Sequence, residues 1–340
     1  MMEDDAADAA PRGTEGPVLS VTGLTVEISG EAGRFPVVSD MDLAVRRGET
    51  VCIVGESGCG KSMTALALLR LLPDGAHIAS GSIIVAGEDM TRLDRRRIED
   101  LRGDRIAMIF QEPLTALNPV LTIGDQIVET LRRHRRIGRK EALARAIRTL
   151  GLVRMPDPER RARQYPHELS GGMRQRAMIA LALANEPDIL IADEPTTALD
   201  VTVQAQILGL IRDLQRRLGT AQVLITHDLG VVAETADRVI VMYAGRRVEE
   251  CSVYELFENP LHPYTIGLMG AVPHRSGPGA RAARLTDIPG TVPPLWDLPA
   301  GCAFAPRCPG ASARCRAERP PLVEKRPGHL AACWDHDDAA

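Results

Sequence analysis

The chain has 340 residues, 44% of them apolar and 25% charged, with a formal net charge of −4. That length exceeds one ordinary core and predicts about two domains; the composition is that of a soluble globular protein, and the weak negative charge argues against a chain built as a whole to grip nucleic acid. No run approaches the ~18 apolar residues that span a bilayer, and the acidic start "MMEDDAADAAPRGTEG" lacks a signal peptide's basic stretch and apolar run.

That start reads as a disordered tail over 1–16, and the chain is expected in the cytoplasm, where cysteines stay reduced. "PVLSVTGLTVEIS" (Pro17–Ser29) alternates apolar and polar residues as a half-buried strand does, and "FPVVSDMDLAVRRGE" repeats the pattern before a turn. "TVCIVG" (Thr50–Gly55) is short, apolar and rich in β-branched residues, the signature of a buried strand. "GESGCGKS" (Gly55–Ser62) follows at once and opens into the predicted helix "KSMTALALLRLL", closed by Pro73 and Gly75.

This is G-x-x-x-x-G-K-[ST] in its required place between strand and helix. Gly55, Ser57, Gly58, Cys59, Gly60 and Met63 offer backbone that can curl around phosphate oxygens, and the helix start adds partial positive charge. Lys61 reaches the β- and γ-phosphates of a bound nucleotide, and the Ser62 hydroxyl holds Mg²⁺. Cys59, near Lys61 and a helix start, is either an activated thiol or a small residue tolerated at a variable position.

"RIAMIF" (Arg105–Phe110) is another buried strand, after which the pattern turns helical over about 112–183. Within it "LRRHRRIGRKEALARAIR" (Leu131–Arg148) is basic; arginines on one helix face are usually a solvated face. "DILIAD" returns to a strand and delivers Asp193 to its end, where it can support Mg²⁺ beside Ser62. Glu194 follows, placed to take a proton from an attacking water. Next come a helix with Val203, Ile207, Leu210, Leu214 and Leu218 on one face, ended by Gly219; the strand "QVLITHD"; and the hairpin "RVIVMYAGRRVEEC". Strands alternating with helices predict an α/β fold with a largely parallel sheet and an inserted helical subdomain.

From about Ser276 a Pro- and Gly-rich linker leads into a small irregular module carrying Cys302, Cys308, Cys315 and Cys333, spaced C-x5-C-x6-C-x17-C. Four thiolates are the ligand count of an iron–sulfur cluster, four-iron four-sulfur first, and no C-x2-C pair suggests a zinc ribbon. Zinc, with His329 as a spare ligand, and unligated thiols stay open. A module with so little apolar sequence needs a staple, so the cluster is expected to be mainly structural.

"LSGGMRQR" (Leu169–Arg176), "FQEP" with Gln111, "TTALD" with Asp200 and "ITHD" with His227 join the phosphate loop in an order and spacing that resemble the ATP-binding subunits of ABC transporters. The resemblance implies a P-loop ABC ATPase core over 17–264, with an antiparallel β subdomain and an inserted helical subdomain, plus a small C-terminal metal-binding extension over 265–340. It implies two subunits facing head to tail, each ATP lying between one phosphate loop and the Ser170, Gly171 and Gly172 of the other, with Asp200 also at the nucleotide. Gln111 would sense Mg²⁺ and the attacking water, its loop touching a membrane partner, and His227 would contact the γ-phosphate.

"QEPLTALNPVLTIGDQI", "NPLHPYT" and "IPGTVPPLWDLPAGCAFAPRC" are similar to the oligopeptide/dipeptide branch of ABC importers, some of which hold a cluster in such a tail. This implies ATP-driven peptide uptake at the cytoplasmic face of the membrane, with two permease subunits, an extracytoplasmic substrate-binding protein and no nucleic acid. Met173 stands where many ABC proteins have Gln, which implies a second, paralogous ATPase subunit. The family often stacks an aromatic ring on adenine at the end of the first strand; this chain has Ile28 there, with Phe35 its nearest aromatic. Two other classes compete: an ABC ATPase acting on nucleic acid or ribosomes, from the basic run, and one serving iron–sulfur assembly, from the tail cysteines.

Overall fold

The computed structural model describes residues 16–30, 33–196, 200–271 and 288–336. The expected tail at 1–16 lies outside these but for Gly16, as do residues 276–287 of the expected linker.

The chain opens with β1 (Leu19–Gly30), β2 (Gly33–Val45), β3 (Thr50–Val54) and α1 (Lys61–Leu68), then β4 (Ala76–Val85), β5 (Glu88–Asp89), α2 (Arg95–Leu101) and β6 (Ile106–Ile109). Five helices intervene: α3 (Pro113–Ala116), α4 (Ile123–His134), α5 (Arg139–Leu152), α6 (Pro158–Arg161) and α7 (Gly171–Leu183). After β7 (Ile189–Asp193) come α8 (Val201–Leu218), β8 (Ala221–Ile225), α9 (Leu229–Thr235), β9 (Arg238–Tyr243), β10 (Arg246–Ser252), α10 (Val253–Glu258) and α11 (Pro263–Gly270). The C-terminal part adds α12 (Ala313–Ala317), β11 (Val323–Arg326) and β12 (His329–Ala331).

A four-stranded antiparallel sheet runs β2-β1-β4-β5. A larger sheet runs β11-β12-β10-β9-β3-β8-β7-β6, parallel from β9 to β6 and antiparallel beyond β9. The expected α/β core, antiparallel subdomain and helical insertion are all present. Side chains of β3 alternate between two cores, Val51 and Ile53 toward the antiparallel sheet, Cys52 and Val54 toward the helical side, as a strand covered on both faces requires.

Parallel pairing sets Ile53 beside Ile225 and Asp193 beside Ile225, so β3, β7 and β8 end together. Whatever follows those three strands shares one edge of the sheet, the usual ligand edge of an α/β fold. Helix α8 begins where Asp200 accepts the Val203 N–H and ends at Gly219, whose φ of 64° is the left-handed stop that glycine adopts without a Cβ clash.

One expectation needs correcting: the C-terminal extension is not wholly irregular. β12 pairs with β10 and β11 with β12, extending the core sheet. Ile288, Val292, Leu295 and Leu298 pack on the core although they sit in the stretch read as a linker. Strands of three and four residues carry too little periodicity to be read, and their partner strand lies some 80 positions earlier, between Glu249 and Ala331.

Candidate functional site

The loop after β3 turns tightly around its glycines. Gly60 has φ of 100°, and a Cβ there would lie 2.5 Å from the Val37 carbonyl oxygen, so only glycine fits. A Cβ on Gly55 would meet the Met242 carbonyl oxygen at 2.3 Å. Ser57 and Gly58 are exposed at the rim, and Met63 is half-buried one turn into α1. Lys61 lies under the loop, its ammonium donating to the Gly55 and Glu56 carbonyls at 2.7 and 2.9 Å.

Cys59 is buried beneath the loop. Burial pushes its thiol up more than nearby Lys61 draws it down, so the activated-thiol reading gives way to that of a small packed residue.

The end of β7 completes the cluster. Ser62 Oγ donates to Asp193 Oδ1 at 3.2 Å, joining the two expected Mg²⁺ ligands. Burial holds the Asp193 carboxyl above its usual range, against the Ser62 hydrogen bond, and the neighbouring Glu194 charge adds to the rise. A buried carboxylate kept from water in this way favours a cation beside it. Glu194 sits with φ of 44°, a conformation few residues other than glycine adopt, and its N–H is fixed by the Ile225 carbonyl at 2.9 Å. Gln111 Nε2 donates to one Glu194 carboxylate oxygen at 3.1 Å, and His227 Nδ1 lies 3.2 Å from the other. Four sequence-expected residues thus meet, from three strand ends: Asp193, Glu194, Gln111 and His227.

The remaining expected residues lie apart. Asp200 is engaged as the cap of α8. Ser170 begins α7 without capping it and is exposed beside Gly171. Gly172 lies against α8, where a Cβ would meet Val203 at 3.2 Å. Helix α7, which the signature stretch opens, packs chiefly on α3, α5 and β6. Ile28 pairs across the sheet with Phe35, and Phe35 meets Trp296 edge-on at 5.8 Å.

Cys302, Cys308, Cys315 and Cys333 line one small enclosed cavity with Phe304, Pro320 and Trp334. Backbone N–H groups of Phe304 and Ala305 point at the Cys302 sulfur, that of Gly310 at Cys308 and that of Asp335 at Cys333, while Ser312 Oγ donates to Cys315 Sγ at 3.2 Å. Burial pushes the Cys333 thiol up to about 11 and raises Cys302 and Cys308 as well.

The zinc alternative's spare ligand is engaged elsewhere. His329 Nε2 lies 2.7 Å from Glu249 Oε1, both fully buried. The Glu249 carboxylate also accepts the Leu261 and His262 N–H groups at 2.7 and 3.0 Å. Cys251 completes the one buried His/Cys/carboxylate triplet whose ligand atoms approach within 4.8 Å among the described residues.

Sequence reasoning missed Glu56, Tyr264, Arg307 and Gln175. The Glu56 N–H donates to Tyr264 Oη at 2.8 Å, and its carboxylate takes both arms of the Arg307 guanidinium at 2.7 and 3.0 Å. Gln175 Nε2 donates to the Pro195 carbonyl, tying α7 to the segment after Glu194. Tyr264 and Arg307 both lie inside quoted motifs, but a spacing shows no partner.

In the basic run Arg132, Arg136, Lys140 and Arg148 are exposed, while other arginines are held in ion pairs. Arg133 pairs with Asp100 at 2.7 Å, Arg139 with Asp125 at 2.7 Å and Arg145 with Glu141 at 2.8 Å. No helix among the described residues is long and apolar enough to cross a membrane.

A phosphate loop, two carboxylates at the end of a parallel strand, a glutamine and a histidine converging on the second carboxylate, and a helical insertion define an ATP-binding cassette. The ABC transporter family model matches residues 38–197, and that of the oligopeptide/dipeptide transporter C-terminal region matches 248–315. The chain is 56% identical over 318 residues to the probable peptide ABC transporter ATP-binding protein y4tR of Sinorhizobium fredii, covering 93% of this chain and 94% of the relative. It is 48% identical over 324 residues to the dipeptide transport ATP-binding protein DppD of Bacillus subtilis, covering 95% and 96%.

Among solved structures it resembles a dimeric post-hydrolysis ATP-binding cassette bound to ADP and Pi, with TM-score 0.63, 29% identity, and coverage of 69% of this chain and 98% of that one. The chain belongs to the ATP-binding subunits of the ABC transporter family, in the branch that carries the oligopeptide/dipeptide C-terminal region.

Proposed function

We propose that this chain is the ATP-hydrolysing subunit of a membrane importer that takes up di- or oligopeptides. The meeting of Glu194 with Gln111 and His227, beside the Ser62–Asp193 pair, carries the reading of the chemistry. The relatives named as peptide transporters carry the reading of the cargo. In this reading Ser62 and Asp193 hold Mg²⁺, which neutralises charge on the transferring phosphoryl group. Lys61 leaves the Gly55 and Glu56 carbonyls for the β- and γ-phosphates. Glu194 takes the proton of the attacking water, oriented by Gln111, and His227 contacts the γ-phosphate.

Ser170 and Gly171 are exposed at the start of α7, open to the phosphate of a second, head-to-tail cassette. The dimeric cassette among the structural relatives supports that arrangement. Met173 favours a paralogous partner. The loop after Gln111 is proposed to dock on two permease subunits at the cytoplasmic face, fed by a substrate-binding protein outside. Glu194→Gln in the complex assembled with its membrane partners is expected to keep ATP binding and lose ~10²–10⁴-fold in turnover. Near-normal hydrolysis would assign the base elsewhere, and co-purification with RNA instead of membrane subunits would overturn the importer reading.

The same proposal includes an iron–sulfur cluster, of the four-iron four-sulfur kind, on Cys302, Cys308, Cys315 and Cys333. The sulfurs share one cavity and receive N–H groups, as cluster thiolates do. Protein purified without oxygen is expected to be brown, with iron and acid-labile sulfide in comparable amounts; zinc without sulfide would sink the cluster.

A further inference from the structure

Glu56 is the second residue of the phosphate loop, and its peptide is held from two sides. From within the loop its carbonyl accepts Lys61 Nζ, a bond that Lys61 gives up when ATP binds, so the lasting hold is the one from outside the loop. Its N–H and its carboxylate are both held by the C-terminal region, through Tyr264 and Arg307. Tyr264 is fully buried and Arg307 nearly so. Every N–H direction of the guanidinium is used: Nε donates to the Pro289 carbonyl at 3.0 Å, Nη1 also to Tyr243 Oη at 3.4 Å, and Nη2 also to the Ile288 carbonyl at 3.3 Å. The Tyr243 and Phe304 rings flank it, with centroids 5.9 and 6.0 Å away. A planar fork so fully satisfied has one resting position, and its two remaining bonds fix a carboxylate in the plane it sets.

A loop with several glycines has much conformational freedom to lose when it closes around phosphates. Holding it in its bound shape beforehand lowers that cost and tightens binding. Arg307 and Tyr264 lie outside the loop and are supplied by a region that a bare cassette fold does not need. We propose that Arg307, acting through Glu56 and with Tyr264 on the same peptide, is a positioning residue for the ATP site, so that the C-terminal region preorganises the phosphate loop. This rests on the loop being the ATP site.

The test is equilibrium binding of Mg-ATP to the full-length chain, with thermal melting alongside and steady-state ATPase kinetics in the assembled complex. Arg307→Met and Glu56→Gln are each expected to weaken ATP about tenfold. The double variant should be no weaker than the worse single one, because the two act as a unit. Arg307→Lys should fall between, since an ammonium cannot reproduce the fork. The loss should appear in KM more than in kcat. A structural role alone would lower the melting temperature and leave the affinity measured well below it unchanged, which would overturn the proposal, as would additive losses in the double variant. Should Arg307→Met fail to fold, Glu56→Gln, on a half-exposed loop residue, decides by the same criterion. Lys61→Ala separates the premise: unchanged ATP binding there would refute the ATP-site reading itself, whereas a loss there with normal affinity in Glu56→Gln refutes only the brace.

Discussion

Glu194 shows how a residue's role depends on what holds it. Its left-handed backbone, the Ile225 carbonyl on its N–H, and Gln111 and His227 on its carboxylate together fix where its oxygens point. Such strain persists only where surrounding contacts over-determine the conformation, and it costs of order 1–3 kcal/mol. Glu194→Gly is therefore expected to unfold at a temperature equal to or above that of the parent while losing hydrolysis. A fall in melting temperature would mean that the carboxylate's contacts outweigh the strain. Cys59 makes the opposite case. A buried thiol with a raised pKa should resist alkylation in the native chain at neutral pH and react on unfolding, read by mass spectrometry of the loop peptide. Rapid native labelling would restore the activated-thiol reading.

At the scale of elements, the docking of β12 on β10 has a chemical lock. Burial pushes Glu249 upward, but hydrogen bonding with His329 and from the N–H groups of Leu261 and His262 outweighs it and holds the carboxyl below its ordinary 4.5. A carboxyl depressed in the folded state stabilises fully above 4.5, and that stabilisation fades as pH falls through the lower folded value. The C-terminal strands are thus expected to loosen in acid below pH 4.5, seen as hydrogen exchange rising in Val323–Ala331 before the parallel sheet opens. A Glu249→Gln chain should show that exchange at neutral pH; equal protection in both proteins would exclude Glu249 as the lock. The first strand pair poses a question of specificity. We propose that adenine meets Ile28 there, an aliphatic contact in place of the flat face that contributes ~1–3 kcal/mol per stacked base. Weak discrimination between ATP and GTP is expected in competition binding. A strong ATP preference lost in Trp296→Ala would instead assign the platform to the ring that meets Phe35.

Across the whole molecule, the order of the motifs was legible because each chemical part of the ATP site is local. A strand, six loop residues and a helix start make a phosphate cradle wherever they occur together, and an apolar strand ending in two acids places them at a sheet edge. Helices α4, α5 and α8 were readable from their apolar stripes, and α8 also from Gly219 at its end. Motif and periodicity therefore determined the phosphate loop, the helical insertion and the Asp193–Glu194 pair, while the resemblance to ABC ATPases pointed to the cassette and to Gln111 and His227. Only the tertiary structure decided that β11 and β12 join the core sheet, that His329 serves Glu249 rather than the cysteines, and that Arg307 reaches Glu56 across 251 positions of sequence. The physical reason is one of range. Propensity, periodicity and loop motifs are properties of neighbours in the chain, whereas a buried ion pair exists only once folding has brought both partners out of water to the same place.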